Sequence, residues 1–454
     1  MPHFRDPIHG FIYISRNEQK IIDSSFFQRL RNIRQLATTY LVYHGAEHTR
    51  FGHSIGVTHL VGKAFDSVTS KTADLFDSNL RINNAKTKWY RQILRLIALI
   101  HDLGHAPFSH ATEGLMPSGI KHEHYTKEII FKTDIAELIS KIGKDLHSEL
   151  AFDLEISEKS LVKKHGIRPI SSKLLWLIYG EKPSPTNKEY IWPDFVFLKS
   201  FMDGELDCDK MDYLLRDSHY CGVTYGTYDL NRFISTLVAY RDKDKNILQL
   251  AITSGGVQAF EEFVLAQYFM FIQVYFHKTR RHFDRVLANA MMDILPNRKL
   301  PADINEYLQW DDTRTIQAMR ELHTPNTIQY IEREVMSCVY ESPAHADTSE
   351  RRSAEFLIEL LETKFPGVLF YLDEVDKNAH KLLPSYYLRD DSEDGVIRVI
   401  NNHTGESNNI VDKSLILSGV TKPICIFRIY TSARDEILDN IVDYIKQHSK
   451  NSKH

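Results

Sequence analysis

Apolar residues along this chain recur mostly at three- and four-residue intervals, which predicts a mainly helical protein. Residues 5–14 are the first exception, a short β-like entry with a turn at Pro7 and Gly10. Residues 18–36 carry helical spacing through Ile21, Ile22, Phe26, Leu30 and Ile33, with Asp23, Ser24 and Ser25 as capping candidates. A helix is predicted over 53–77. A strongly apolar one follows over 88–103, carrying His101 and Asp102 at its end before Gly104 and Pro107 break it. Further helices are predicted over 122–142, 146–156 and 205–219. The proline-rich stretch Glu181 to Pro193 reads as a loop. Residues 235–253 read as a hairpin turning at Asp242 to Asn246, followed by one long helix over 256–293.

The pattern then changes. Val368 to Val375, Val396 to Asn401, Asn409 to Leu417 and Ile424 to Tyr430 are strand-like, and a closing helix covers 433–447. This predicts residues 1–300 as a catalytic core and residues 301–454 as an α+β C-terminal region serving oligomerisation or regulation, with a soft boundary near 300. There are no internal repeats and no low-complexity tracts.

Composition narrows the class. The 454 residues are 43% hydrophobic and 26% charged, as in ordinary globular proteins. A net charge of -4 gives nucleic acid no global attraction, although residues 1–60 carry seven Lys/Arg against four Asp/Glu. Cys208, Cys221, Cys338 and Cys425 form no C-x-x-C pair, and the N-terminus is no signal peptide. A reducing, cytoplasmic setting is expected. The most apolar window, Phe263 to Phe276, contains Gln267 and Gln273 and is too short for a membrane span.

Histidine is the anomaly. Of the 22, nine lie between His44 and His124. The dipeptide His101-Asp102, with His53 and Asp209, offers two imidazoles and two carboxylates, a donor set suited to Mn²⁺, Fe²⁺, Mg²⁺, Zn²⁺ or Co²⁺. This H…HD…D pattern suggests a metal-dependent phosphohydrolase. His105, His110, Glu113 and His122 follow, and a phosphate ester needs such groups for charge stabilisation and for protonating the leaving oxygen. Arg50 and Lys210 are candidate phosphate contacts. Four-residue spacing puts Asp209, Tyr213 and Asp217 along one face of a helix, which predicts a cavity wall. No Walker A or G-x-G-x-x-G motif is present.

Asp6-Pro7-Ile8-His9-Gly10, Phe27-Gln28-Arg29-Leu30-Arg31, Gln35-Leu36, Arg50-Phe51-Gly52-His53-Ser54, His101-Asp102-Leu103-Gly104-His105-Ala106-Pro107-Phe108-Ser109-His110 and Asp209-Lys210-Met211-Asp212-Tyr213 occur in that order. Over about residues 2–290 this resembles the HD-domain deoxynucleoside triphosphate triphosphohydrolases, in particular the branch containing the catalytic core of the vertebrate SAM- and HD-domain enzymes. The resemblance implies an HD-domain helical core and metal ligation by His53, His101, Asp102 and Asp209. It implies catalysis by His122, with His105 on the α-phosphate and Glu113 as the carboxylate partner of His105. It implies phosphate contacts from Arg50 and Lys210, reading of the sugar 3′-hydroxyl by Gln35 and Asp217, and packing of Tyr213 and Tyr275 on the sugar.

The implied reaction converts a dNTP to deoxynucleoside and inorganic triphosphate. Relatives imply an activating nucleotide at a subunit interface, here matched by Asp23 and Arg31, and so a homo-dimer or homo-tetramer. No SAM domain is expected ahead of the core. Pro2, Arg5 and Phe276 depart from the vertebrate pattern and leave the activator and the base preference open. Two alternatives stand beside this reading: an HD phosphohydrolase of another nucleotide (a monophosphate, a cyclic nucleotide or GTP), and a non-catalytic nucleotide-binding regulator.

Overall fold

The computed structural model describes residues 2–71, 85–165, 197–241, 248–377, 396–401, 403–420 and 422–451. The predicted loop over 181–193 and the hairpin turn over 242–246 lie outside these residues. The fold is mainly α, with small sheets.

The chain opens with the antiparallel hairpin His3–Asp6 and Gly10–Tyr13. Helix Arg16–Ile22 follows, started by a capping box between Ser15 and Glu18. The single helix predicted over 18–36 is corrected. Ser24 donates its hydroxyl to the Ile21 carbonyl and receives the Phe27 N–H, so a second short helix, Ser25–Gln28, starts afresh. A tighter turn over Arg29–Asn32 then leads to extended backbone at Ile33. Asp23 ends the first helix and caps no helix start.

Helix Arg50–Lys71 packs against helix Ala85–Ile100. Between them Arg95 bridges the Thr58 carbonyl and both oxygens of the buried Glu18 carboxylate. Helix Cys208–Cys221 lies on Arg50–Lys71 at Gly56, where an added Cβ would stand 2.0 Å from Asp212 Oδ1. Helices His122–Lys132 and Asp134–Asp153 replace the division predicted near 144. The break falls at Thr133, whose hydroxyl caps the second helix.

The long helix predicted over 256–293 is also two. Val257–Met270 widens into a π-turn at Phe271–Tyr275, and His277 leaves helical geometry to cap Lys278–Ile294 with its side chain. In the C-terminal region, Asn409 to Leu417 is not a strand. Ser407–Asn409 is extended, and the side chains of Asn409 and Ser414 then each start a helical turn. Strand Ser337–Glu341 and the helices Asp312–Leu322, Pro325–Ile331 and Thr348–Lys364 were not foreseen.

One sheet orders Leu237–Arg241, Leu248–Thr253, Arg398–Ile400 and Ser407–Asn409, with Thr253 paired in parallel to Ile400. The other places Ile424–Thr431 between Ser337–Glu341 and Phe370–Lys377. One of its hydrophobic clusters joins Ile429 and Phe370 to Leu361 and Ile441 on helices Thr348–Lys364 and Asp435–Asn451. Another sets Val375, Ile424 and Ile426 on Phe271 and Phe276 of the π-turn region. The main core is one connected cluster with members from Ile12 to Leu417, and Leu300 is buried in it.

Candidate active site

The site forms where three elements converge: the first turn of Arg50–Lys71, the turn after Ala85–Ile100, and the first turn of Cys208–Cys221. His53 is buried, with Nε2 2.8 Å from Asp209 Oδ1 and Nδ1 2.9 Å from Asp212 Oδ2. Burial opposes charge on this ring. The two carboxylates outweigh it and raise the pKa to about 10. Residue His101 donates Nδ1–H to the Ala98 carbonyl at 2.6 Å, which fixes the tautomer and frees Nε2. That Nε2 is buried with no hydrogen-bond partner among the described residues, 3.3 Å from Asp102 Oδ1 and 3.5 Å from Asp209 Oδ1.

Donor atoms of His53, His101 and Asp102 lie within 4.8 Å of one another, and Asp209 closes the set. An orphaned imidazole nitrogen facing carboxylate oxygens is a poor core and a fitting first coordination shell. Its nitrogen and oxygen donors suit a divalent ion and leave the choice among Mn, Fe, Mg, Zn and Co open.

Arg50 is buried beside this cluster. Its Nη1 meets Asp102 Oδ2 and its Nε donates to Ser109 Oγ at 2.8 Å. His105 points Nε2 at Asp102 Oδ1 (3.2 Å) and stacks on His122, with ring centroids 3.9 Å apart. Its Nδ1 has no hydrogen-bond partner among the described residues. Burial, Arg50 and His122 hold its pKa well below the usual histidine range, so this ring is neutral. The expected pairing of Glu113 with His105 is corrected. Glu113 Oε1 instead faces His122 Nδ1 at 2.6 Å and His110 Nδ1 at 3.0 Å, because His105 is turned inward onto Asp102. Burial alone would raise the Glu113 pKa; bonding to the two histidines takes it below the usual carboxylate range. His110 is mostly exposed.

These groups line a cavity of about 710 Å³, within the span of small-molecule sites. The same cavity is lined by Gln35, Tyr213, Asp217 and Tyr275, so the polar-aromatic helix face does form a wall. Tyr213 and Tyr275 meet edge to face at 6.3 Å. Asp217 receives the Tyr275 hydroxyl at 2.7 Å and faces His48 Nε2 at 2.8 Å. Gln35 Oε1 is buried, with no hydrogen-bond partner among the described residues. Lys210 is not among the lining residues. Its ammonium is drawn away to the Gly204 carbonyl and to Asp207 Oδ2, the side chain that caps the same helix. Lys199, Arg280 and Lys377 line the cavity instead. Asp23 and Arg31 are exposed, away from the lining. Arg31 lies over the Phe51 ring and donates to Gln28.

The HD domain family matches residues 50–185, and the HD associated region matches residues 228–340. This is an HD-domain protein. Both family matches fall on the elements that build the cavity. The uncharacterized protein YwfO of Bacillus subtilis is 31% identical over 290 residues, 63% of this chain and 54% of that one. The deoxynucleoside triphosphate triphosphohydrolase SAMHD1 of Homo sapiens is 32% identical over 237 residues, 52% of this chain and 35% of that one. The chain spans about half the length of the first curated relatives it matches. A hypothetical protein from Aquifex aeolicus superposes with a TM-score of 0.71 at 27% identity, covering 98% of this chain and 99% of its own. HD domains bind divalent metals, and the donor set above is where this HD domain would hold one. Among the described residues no helix is long and apolar enough to cross a membrane.

Several groups around the site escaped the sequence reading. Asp212 is buried and holds His53, His9 Nε2 (2.6 Å) and the Arg216 guanidinium, which also reaches Asp6. The motif Asp6-Pro7-Ile8-His9-Gly10 thus braces His53, a candidate ligand, from behind. Its signal was the motif itself, quoted without a role. Ser109 and His48 carried no signal beyond their neighbours.

Proposed function

We propose that this HD-domain protein hydrolyses deoxynucleoside triphosphates to deoxynucleoside and inorganic triphosphate. The observation that carries this reading is one cavity with two unlike walls: metal donors with Arg50 and His122 on one, and Gln35, Tyr213, Asp217 and Tyr275 on the other. The similarity to SAMHD1, whose name states that reaction, supports it. A divalent ion held by His53, His101, Asp102 and Asp209 would supply Lewis-acid stabilisation of phosphoryl charge.

The chain's own groups divide the remaining work. Arg50, fixed by Ser109 and Asp102, presents a cation to phosphoryl oxygens. His105 contacts the α-phosphate by turning its Nε2–H from Asp102 Oδ1, 3.2 Å away, to a phosphoryl oxygen. His122 protonates the leaving 5′-oxygen, and Glu113 orients it through Nδ1. His110 shares that carboxylate. The paired rings of Tyr213 and Tyr275 pack against the deoxyribose, leaving no room for a 2′-hydroxyl, while Gln35 and Asp217 read the 3′-hydroxyl. Lys210 serves the phosphates after release from Asp207, and Lys199 contacts the tail directly. A second nucleotide at a subunit interface, read by Asp23 and Arg31, activates a homo-dimer or homo-tetramer.

The test incubates the purified chain with each dNTP and rNTP plus Mn²⁺, alone and mixed, and separates products by ion exchange. Triphosphate and deoxynucleoside, absent with Asp102→Ala, are the expected products. Activity confined to mixtures would support the Asp23 and Arg31 site. Phosphate or pyrophosphate instead would favour an HD phosphohydrolase of another nucleotide. Nucleotide binding without any product would favour a regulator.

A further inference from the structure

Asp312 lies far along the chain from the HD motif, yet its buried carboxylate reaches into the motif's loop. It is 3% exposed. Oδ1 receives the Phe108 N–H at 2.7 Å and Oδ2 receives the Arg34 N–H at 2.9 Å. The Arg34 guanidinium is 3.6 Å from the same Oδ2. Phe108 and Ser109 both have left-handed backbone, φ 56 and φ 54, a conformation that side-chain-bearing residues keep only when surroundings enforce it. Asp312 holds the N–H of the first of these two residues.

The consequence passes through Ser109. Its hydroxyl donates to the Arg34 carbonyl at 2.6 Å and accepts from Arg50 Nε at 2.8 Å. The Arg34 residue is therefore gripped at its N–H by Asp312 and at its carbonyl by Ser109. Gln35, next in the chain, and Arg50 both line the cavity. Neighbours of Asp312 brace the same loop: the Tyr307 hydroxyl donates to the Gly104 carbonyl at 2.7 Å, and Arg29 joins the Trp310 carbonyl to the His105 carbonyl.

We infer that Asp312 is a positioning residue that sets the Arg50 guanidinium for polyphosphate through the Phe108–Ser109 turn. This rests on the proposed phosphate role of Arg50. Its loss misaligns Arg50 and removes an acceptor from the buried Phe108 N–H or the half-buried Arg34 N–H.

The test uses the full chain with Mn²⁺ and reads calorimetric affinity for inorganic triphosphate alongside dNTP hydrolysis, in wild type, Asp312→Asn, Arg50→Ala and the double variant. Asp312→Asn should weaken triphosphate binding by about tenfold, the scale of one buried hydrogen bond. In the Arg50→Ala background it should change nothing further, which a merely structural role would not produce. Additive losses, an unchanged Asp312→Asn affinity, or no triphosphate binding by the wild type would each overturn the inference. Should Asp312→Asn fail to fold, Ser109→Ala cuts the same link and is held to the same criteria. A wild type that binds triphosphate, responds as described and releases none from any dNTP would sink the substrate reading and leave Asp312 its role. A wild type that cleaves dNTPs while Asp312→Asn matches it in both measurements would do the reverse.

Discussion

His53 shows how one side chain depends on groups that never touch substrate. Its Nδ1 is held by Asp212, and Asp212 is itself held by Arg216 and His9. A carboxylate behind a ligand imidazole fixes its orientation and raises its basicity, and removing such a partner commonly costs about 10–100-fold in metal affinity. Asp212→Asn should therefore lose Mn²⁺ affinity on that scale, read as bound metal after equilibrium dialysis. Unchanged affinity would mean His53 is oriented by helix packing alone. Glu113 gives a second prediction. With Glu113→Gln, the Nδ1 of His122 loses its ionised partner, and turnover should fall about 10–100-fold, as for an impaired general acid, while KM stays close to wild type. A rise in KM with turnover intact would move Glu113 from proton transfer to binding. The candidate metal donors His53, His101, Asp102 and Asp209 stood out by residue type and spacing, and His122 by the family resemblance. The partner of Glu113 was not, because ring orientation follows from where His105 finds room, against Asp102.

At the scale of elements, the HD turn works because helix His122–Lys132 comes close to it. Gly104 permits that approach: a Cβ there would stand 2.2 Å from the Thr126 nitrogen and 2.3 Å from the His122 carbonyl. Backbone cannot yield as a flexible side chain does, so Gly104→Ala should push the helix and its His122 outward. Overpacking of this kind costs about 1–3 kcal/mol. A melting curve shifted downward together with lost hydrolysis is the expected pair; a variant with wild-type melting and activity would show that the helix docks elsewhere. The breaks at Ser24, Thr133 and His277 belong to the same scale. Each residue is polar and hydrogen-bonds a nearby backbone group, and each ended a helix that apolar periodicity alone carried through. At Phe271–Tyr275 the consequence is functional, since the π-turn brings Tyr275 and Phe276 to the cavity wall.

For the whole molecule, the buried pair of Glu18 and Arg95 joins the N-terminal helix to the two central ones. Burial opposes the Glu18 charge, but Arg95 outweighs it and places the carboxyl below the ordinary value of 4.5. A depressed carboxylate adds stability fully above about pH 4.5 and loses it as pH falls through the folded-state value. Glu18→Gln should cost about 3–5 kcal/mol near neutral pH, the scale for breaking one side of a buried pair. Its gap from wild type, followed by denaturant unfolding from pH 7 downward, should shrink below pH 4.5. A constant gap would make the loss one of packing. By itself the sequence determined the helical class and the polar-aromatic face of Cys208–Cys221 and singled out candidate metal donors, because periodicity and ligand chemistry are local properties of residue type. Tertiary structure alone decided that Lys210 turns to Asp207, that Asp312 clamps the HD loop and that the core runs past residue 300. Each of these depends on which distant group offers a buried charge or N–H its partner, and one-dimensional spacing does not carry that information.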